Sequence, residues 1–330
     1  MSRKTFFYSV FAVAMLLLCT EVLLRGVLGL GSPPLLQTDD DIGYLFQPNQ
    51  EVVRFGNEVK INQYHQRSDD PDTNRGAIRA LFIGDSVTWG GVLVDQFETY
   101  PSLVEQLLAD FCAETVQVLN ASAGSWGIGN QTAYLARFGT FGSQVVVLQI
   151  GSHDLLQATA TDEAVGVHPS APEVAPRLAL EELAVRYIWP RLRSMLGHTL
   201  LPTRVHAQEG GDAQHEHPWF RRNMDMLTEA IALIRSESAE PMILYTPDRN
   251  EVVPENSEYA TTYDPYRGDF YALADSLSVP VVNLKARWRG DDEAERYFRD
   301  GVHFSVDGNR AAAQAMRDAL QRSSFGNACQ

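Results

Sequence analysis

Three apolar runs in the first half of the chain each stop at a small polar loop. Leu81-Phe82-Ile83 runs into Gly84-Asp85-Ser86, Val116 to Leu119 into Asn120-Ala121-Ser122-Ala123-Gly124-Ser125, and Val145 to Ile150 into Gly151-Ser152-His153-Asp154. Aliphatic runs this short read as strands buried on both faces, the pattern of a parallel sheet. Helical spacing follows each of them or lies nearby. Leu103, Val104, Leu107, Leu108 and Phe111 share a face behind Pro101, and Met224, Leu227, Ile231 and Ile234 share another. Strands at Met242 to Tyr245 and Val279 to Leu284, with helices over about 264–277 and 311–320, complete the alternation. Five strands alternating with helices predict a mainly parallel five-stranded sheet in a three-layer α/β/α sandwich. Open α/β folds bind their ligands at the carboxyl edge of the sheet, so Ser86 is the first candidate nucleophile.

A chain of 330 residues, 45% of them hydrophobic, can build one full core with additions. Its net charge of −15 argues against nucleic acid as a partner, because polyanions need clustered Lys and Arg. At the start, Arg3 and Lys4 precede an apolar run from Phe6 to Thr20, which resumes at Val22 to Leu24 after Glu21. A cationic flank before such a run sends the remainder out of the cytoplasm, and no A-x-A-like cleavage site follows. We therefore read 1–30 as a retained signal anchor, single-pass in the cell inner membrane, with the rest on the periplasmic side; a removed signal peptide is the alternative. Residues 31–78 read as a small β extension and linker, with a hairpin around Gly56-Asn57 and a solvated stretch at Ser68-Asp69-Asp70-Pro71-Asp72. Residues 79–330 read as the main α/β domain, interrupted over about 157–220 by a proline-containing insertion that reads as a lid, a partner-facing segment or a surface excursion.

Cys19, Cys112 and Cys329 are too few and too scattered for a metal site or a disulfide framework. Outside the anchor they allow one bridge at most, and spacing alone does not establish it. A flavodoxin-like strand order, 2-1-3-4-5, would bring the first and last helices to one end of the sheet and make Cys112–Cys329 a candidate pair. His215-Glu216-His217 lacks the further ligands a zinc site needs, so neither metal nor organic cofactor is expected. Trp89, Trp126 and Tyr100 are candidates for pocket lining or for packing.

Near the C-terminus, Asp300-Gly301-Val302-His303 precedes the last helix. An acid and a histidine three residues apart on a loop let the acid orient the imidazole, which in turn activates a serine. Taken with Gly84-Asp85-Ser86, the Gly-bearing loop after the second strand and Gly151-Ser152-His153-Asp154 after the third, the chain resembles the SGNH hydrolase, or GDSL esterase/lipase, superfamily over about 79–320. The anchor, the Ile42-Gly43-Tyr44 and Pro48-Asn49 extension and the GDS strand are similar in layout to membrane-anchored bacterial envelope members, some of which act on acylated polysaccharides.

The resemblance implies Ser86 as nucleophile, His303 as general base and Asp300 as its orienting acid. The oxyanion hole would be formed by the backbone N–H of Ser86, a backbone N–H at Gly124 or Ser125, and the third-block side chain. That side chain is usually Asn; here it is His153, whose imidazole N–H can donate in its place. Asp154 reads as a structural acceptor. The implied activity is a serine esterase cleaving acyl, above all O-acetyl, esters, with a carbohydrate or small-molecule substrate. The same triad would serve a polysaccharide O-acyltransferase supplied by a membrane acyl-donor partner. A non-catalytic glycan- or partner-binding envelope protein is the reading of another class.

Overall fold

The computed structural model describes residues 2–72, 76–193, 217–253 and 262–329. The N-terminal run forms helix α1, Arg3–Leu28, begun by a Ser2 cap and ended by Gly29 in the left-handed region. Among the described residues α1 is the one helix long and apolar enough to cross a membrane, with a mean hydropathy of 2.2. Two antiparallel hairpins follow. The first pairs β1, Leu36–Asp39, with β2, Gly43–Phe46; the second pairs β3, Gln50–Arg54, with β4, Asn57–Ile61. The turn of the second is Phe55-Gly56, both at positive φ, and Asn57 already pairs with Arg54, one residue off the expected Gly56-Asn57 turn.

The core sheet consists of β5, Ile78–Gly84, then β6, Val116–Ser122, β7, Val145–Gly151, β8, Glu240–Thr246, and β9, Val281–Asn283. All pairings are parallel and the order is β6-β5-β7-β8-β9, the expected flavodoxin-like arrangement. Every residue of β5 and β7 is buried, which explains why these strands read as unbroken apolar runs rather than alternating ones.

Strand side chains alternate between two layers. Ala80 and Phe82 pack with the helices Tyr100–Ala109 and Val306–Leu320; Leu81 and Ile83 pack with Ile128–Phe138, Pro218–Ser236 and Asp264–Ser276. The sandwich is therefore three-layered, as expected. Past the last long helix the chain brings Cys329 to Cys112, and the two form a disulfide across 217 residues of sequence.

The stretch whose composition reads as extension and linker is packed into the same core. Leu36, Ile42, Leu45, Val59 and Ile61 belong to one buried cluster with Leu81 and Ile83. Arg67 is fully buried, and its guanidinium donates to the carbonyls of Trp89, Gly91 and Val94. Burial lowers its pKa to about 9, so the group that fixes this loop is held by carbonyl dipoles rather than by a bonded acid.

Candidate active site

The nucleophile turn follows directly from the end of β5. A Cβ on Gly84 would sit 2.1 Å from Thr88 Oγ1 and 2.5 Å from Gln149 Oε1, so only glycine fits there. Asp85 N–H donates to Gln149 Oε1 at 3.0 Å, and Asp85 Oδ1 caps the next turn by accepting from Val87 N–H at 2.7 Å. Ser86 thus opens a single helical turn, Ser86–Trp89, closed by Gly90 at φ 77°.

Asp300 and His303, the expected acid and base, lie on the loop before the last long helix, which is pinched by an antiparallel bridge between Phe298 and Phe304. Asp300 Oδ1 accepts the backbone N–H groups of Val302 (3.1 Å) and His303 (2.9 Å), and Oδ2 lies 2.8 Å from His303 Nδ1. Partial burial pushes the Asp300 carboxyl upward, but those donors outweigh it and hold the group below the usual carboxylate range. His303 Nε2 lies 2.9 Å from Ser86 Oγ. With Nδ1–H directed to the carboxylate, Nε2 carries the lone pair that accepts the serine hydroxyl.

Opposite, the loop after β6 is tied to the N-terminal extension: Tyr44 O–H donates to the Gly124 carbonyl, and Trp126 Nε1 donates to the Tyr44 carbonyl at 3.0 Å. Among the described residues the backbone N–H groups of Ser86, Gly124 and Ser125 have no acceptor, so both expected second donors, Gly124 and Ser125, remain open. A cleft of about 650 Å³ is lined by Tyr44, Trp89, Gly124, Ser125, Ala160 and Arg299, and so joins extension, nucleophile turn, second-strand loop, insertion and acid–base loop. Trp126 and Tyr100 are core residues rather than lining.

His153, the expected third oxyanion donor, has carboxylates against both ring nitrogens. Its Nε2 lies 2.9 Å from Asp85 Oδ2 and its Nδ1 3.2 Å from Asp248 Oδ1, with Asp154 Oδ1 at 3.7 Å from Nε2. Burial works against the charged ring, yet Asp154, Asp248 and Asp85 together raise its pKa well above the ordinary histidine value. These carboxylates favour the protonated ring, in which both N–H groups point at Asp85 and Asp248. Asp154 Oδ2 accepts the Gly151 N–H at 2.7 Å, the structural role expected of it. Its carboxyl is pushed up to about 7 by burial, with Asp85 and Asp248 adding to the shift and His153 opposing it.

Sequence reasoning missed Asp248. Its available signal is a capping box, Asp248-x-x-Glu251, after the fourth core strand, where Asp248 N–H donates to Glu251 Oε2 at 2.9 Å. The next residue connects to the acid–base loop, Arg249 N–H donating to the Gly301 carbonyl at 2.8 Å. A continuous path therefore runs from Ser86 through Asp85, His153 and Asp248 to the loop that holds Asp300 and His303. Asp85, His153 and Asp154 offer ligand atoms within 4.8 Å of one another. Of the other histidine candidates, His215 lies outside the described residues, and so does Glu216.

The sequence model of the GDSL-like Lipase/Acylhydrolase family matches residues 82–311, from within β5 into the last long helix. The chain belongs to this family. It is a carboxylic ester hydrolase by that membership, and the matched span includes Ser86, His153, Asp300 and His303. No curated protein matches the chain by sequence. Similar solved structures include the acetyl xylan esterase AlAXEase, at 16% identity and a TM-score of 0.48, covering 74% of this chain and all of that one. An acetylxylan esterase of Geobacillus stearothermophilus has 16% identity and a TM-score of 0.46, covering 76% and 94%. A lipase/acylhydrolase of Enterococcus faecalis has 15% identity and a TM-score of 0.45, covering 74% and 96%.

Proposed function

We propose that the protein is a membrane-tethered, extracytoplasmic serine esterase that removes acyl groups, above all O-acetyl, from a carbohydrate. Ser86 Oγ attacks the ester carbonyl while His303 Nε2 takes its proton, and Asp300 holds the imidazole through Nδ1. The oxyanion is received by the backbone N–H of Ser86 and that of Gly124 or Ser125. His303 then protonates the leaving alcohol, and a water deprotonated by the same nitrogen cleaves the acyl-enzyme, releasing the carboxylic acid and free serine.

The observation that carries this reading is the 2.9 Å contact between His303 Nε2 and Ser86 Oγ with Asp300 behind the ring. The tether is supported by α1 and its Arg3-Lys4 flank, and the compartment by the Cys112–Cys329 bridge, since disulfides persist outside the reducing cytosol. The test is labelling of purified full-length protein with a fluorophosphonate: wild type labels at Ser86 and Ser86→Ala does not. Acetate release from an O-acetylated polysaccharide then assigns hydrolysis, whereas glycan-dependent capture of an acyl group from an activated acetyl ester assigns transfer. A C-terminal alkaline phosphatase fusion is active on this reading and inactive if the domain faces the cytoplasm.

A further inference from the structure

Within the insertion, a helix starts as Ala179–Glu182, widens into a π-helical stretch, Leu183–Ile188, and continues over 189–193. The widening directly precedes Pro190, which has no N–H to give and whose ring would clash with the Arg186 carbonyl in an ordinary turn. One side of this helix is settled by packing. Ala179 is buried with Leu24 and Leu30, and Leu180, Leu183 and Tyr187 pack on that cluster. Glu182 is buried, pairs with the buried Arg54 and accepts the Gly31 N–H at 2.6 Å.

The other side carries a bare apolar stripe. Val185, Ile188, Trp189 and Leu192, at i, i+3, i+4 and i+7, are between 44% and 61% exposed. Outside α1, seven of the eleven exposed large apolar side chains among the described residues lie between 167 and 192. Arg191 and Arg193 flank Leu192 of the stripe, Arg186 is turned back onto Glu182 at 3.6 Å, and no acid follows Glu182 through Arg193, in a chain whose net charge is −15. Exposed Trp, Ile and Leu with arginines and no acids are the composition of a helix that lies in a lipid interface.

The position of this helix agrees with its composition. Its first turn is bonded to α1: Glu21 accepts the N–H groups of Ala179 at 2.8 Å and Leu180 at 3.0 Å, and Arg25 donates to the Arg177 carbonyl at 2.7 Å. Residues 2–19 of the chain are all exposed, and α1 first meets the rest of the protein at Thr20 and Glu21. The exposed apolar run from Phe6 to Cys19 spans roughly 21 Å at about 1.5 Å per residue, most of the ~30 Å of a hydrocarbon core. The start of this helix thus lies against α1 where α1 would leave the bilayer.

We infer that the Val185–Ile188–Trp189–Leu192 stripe is a second membrane contact, docked on an anionic lipid surface beside the exit of α1. The inference rests on the reading of α1 as an anchor. Arg186 also lines the 650 Å³ cleft, so docking would hold the mouth of that cleft at headgroup level.

The test uses the full chain in nanodiscs of phosphatidylcholine and phosphatidylglycerol at a ratio of about 3:1, an anionic surface of the kind such helices bind. Cys19→Ser removes the exposed free thiol, and a fluorophore is placed in turn by Ile188→Cys, Leu192→Cys, Leu16→Cys and Asp292→Cys. The expected result is at least ~two-fold quenching at 188 and 192 by lipid carrying a nitroxide near the headgroup, quenching at 16 by a mid-chain nitroxide, and none at 292. Quenching at 16 without quenching at 188 and 192 overturns the inference and leaves the anchor standing. Absence of quenching at all four positions overturns both. Labels at 188 and 192 that are unquenched by lipid yet shielded from aqueous iodide assign the stripe to a protein partner or a second copy, which also overturns it.

Discussion

His303 and His153 both meet aspartates at the carboxyl edge of the same sheet, but their rings are held differently. Asp300 engages His303 at Nδ1 alone, and Nε2 reaches the Ser86 hydroxyl. His153 has Asp85 at Nε2 and Asp248 at Nδ1, with buried Asp154 adjacent. A ring with one carboxylate partner keeps a lone pair for chemistry, whereas carboxylates at both nitrogens favour the protonated ring. The expectation to be tested is that His153 braces the turn that carries Ser86 rather than donating to an oxyanion.

The largest effect that would break this contrast is at the base. His303→Ala is expected to lower kcat by on the order of 10⁴ to 10⁶, the range seen when a triad member is removed, with little change in melting temperature. Steady-state kinetics and calorimetry on the same preparation check it; a loss below tenfold would show that another group takes the serine proton.

A smaller catalytic loss accompanied by a large loss of stability is expected at the brace. His153→Ala leaves Asp85, Asp154 and Asp248 facing one another without their cation and should cost about 3–5 kcal/mol of stability. His153→Asn should not restore activity, since the role is charge and not a single N–H. If the Asn variant recovers near wild-type kcat while Ala does not, His153 acts on the oxyanion after all.

The brace also has a pH signature. The folded-state pKa of His153 is raised, so its contribution is fully present below about pH 6.5 and is lost as pH rises through the higher folded value. Asp154, raised to about 7 from 3.8, also binds its proton more tightly in the folded state, so stability falls as pH rises between those values. The melting-temperature gap between wild type and His153→Gln should therefore be widest in mild acid and narrow in alkali. A gap independent of pH would mean that the ring is neutral.

Asp248→Asn should give the smallest change. It keeps the side-chain shape but weakens the link between the third-strand loop and the segment that bonds Gly301, with an expected cost of about 1–2 kcal/mol for a charged hydrogen bond and a kcat reduction of a few-fold. Chemical denaturation measures the first and initial rates the second. An effect as large as that of His303→Ala would place Asp248 in the reacting set.

The sequence makes the core strands legible because β5 and β7 are buried on both faces, and it makes the Ser86, Asp300 and His303 combination legible because Asp and His are local to one loop. The brace was hidden for the opposite reason. Asp248 is 95 positions from His153, and nothing at either position shows that β7 and β8 lie side by side. The β1–β2 hairpin is equally obscure, since its turn is Asp40-Asp41-Ile42, without the glycine or asparagine of a short hairpin turn, and its strands are only four residues long. The polar stretch before the core reads as linker because the composition signal cannot show that Arg67 is buried with its charge on carbonyls.

The most direct measurement is the rate at which a fluorophosphonate modifies Ser86, followed by peptide mass mapping, in His303→Ala and His153→Gln side by side with wild type. The account predicts a fall of about 10³-fold or more for His303→Ala and no more than roughly tenfold for His153→Gln, with the adduct on Ser86. Equal falls in the two variants, or an adduct on another serine, would contradict it.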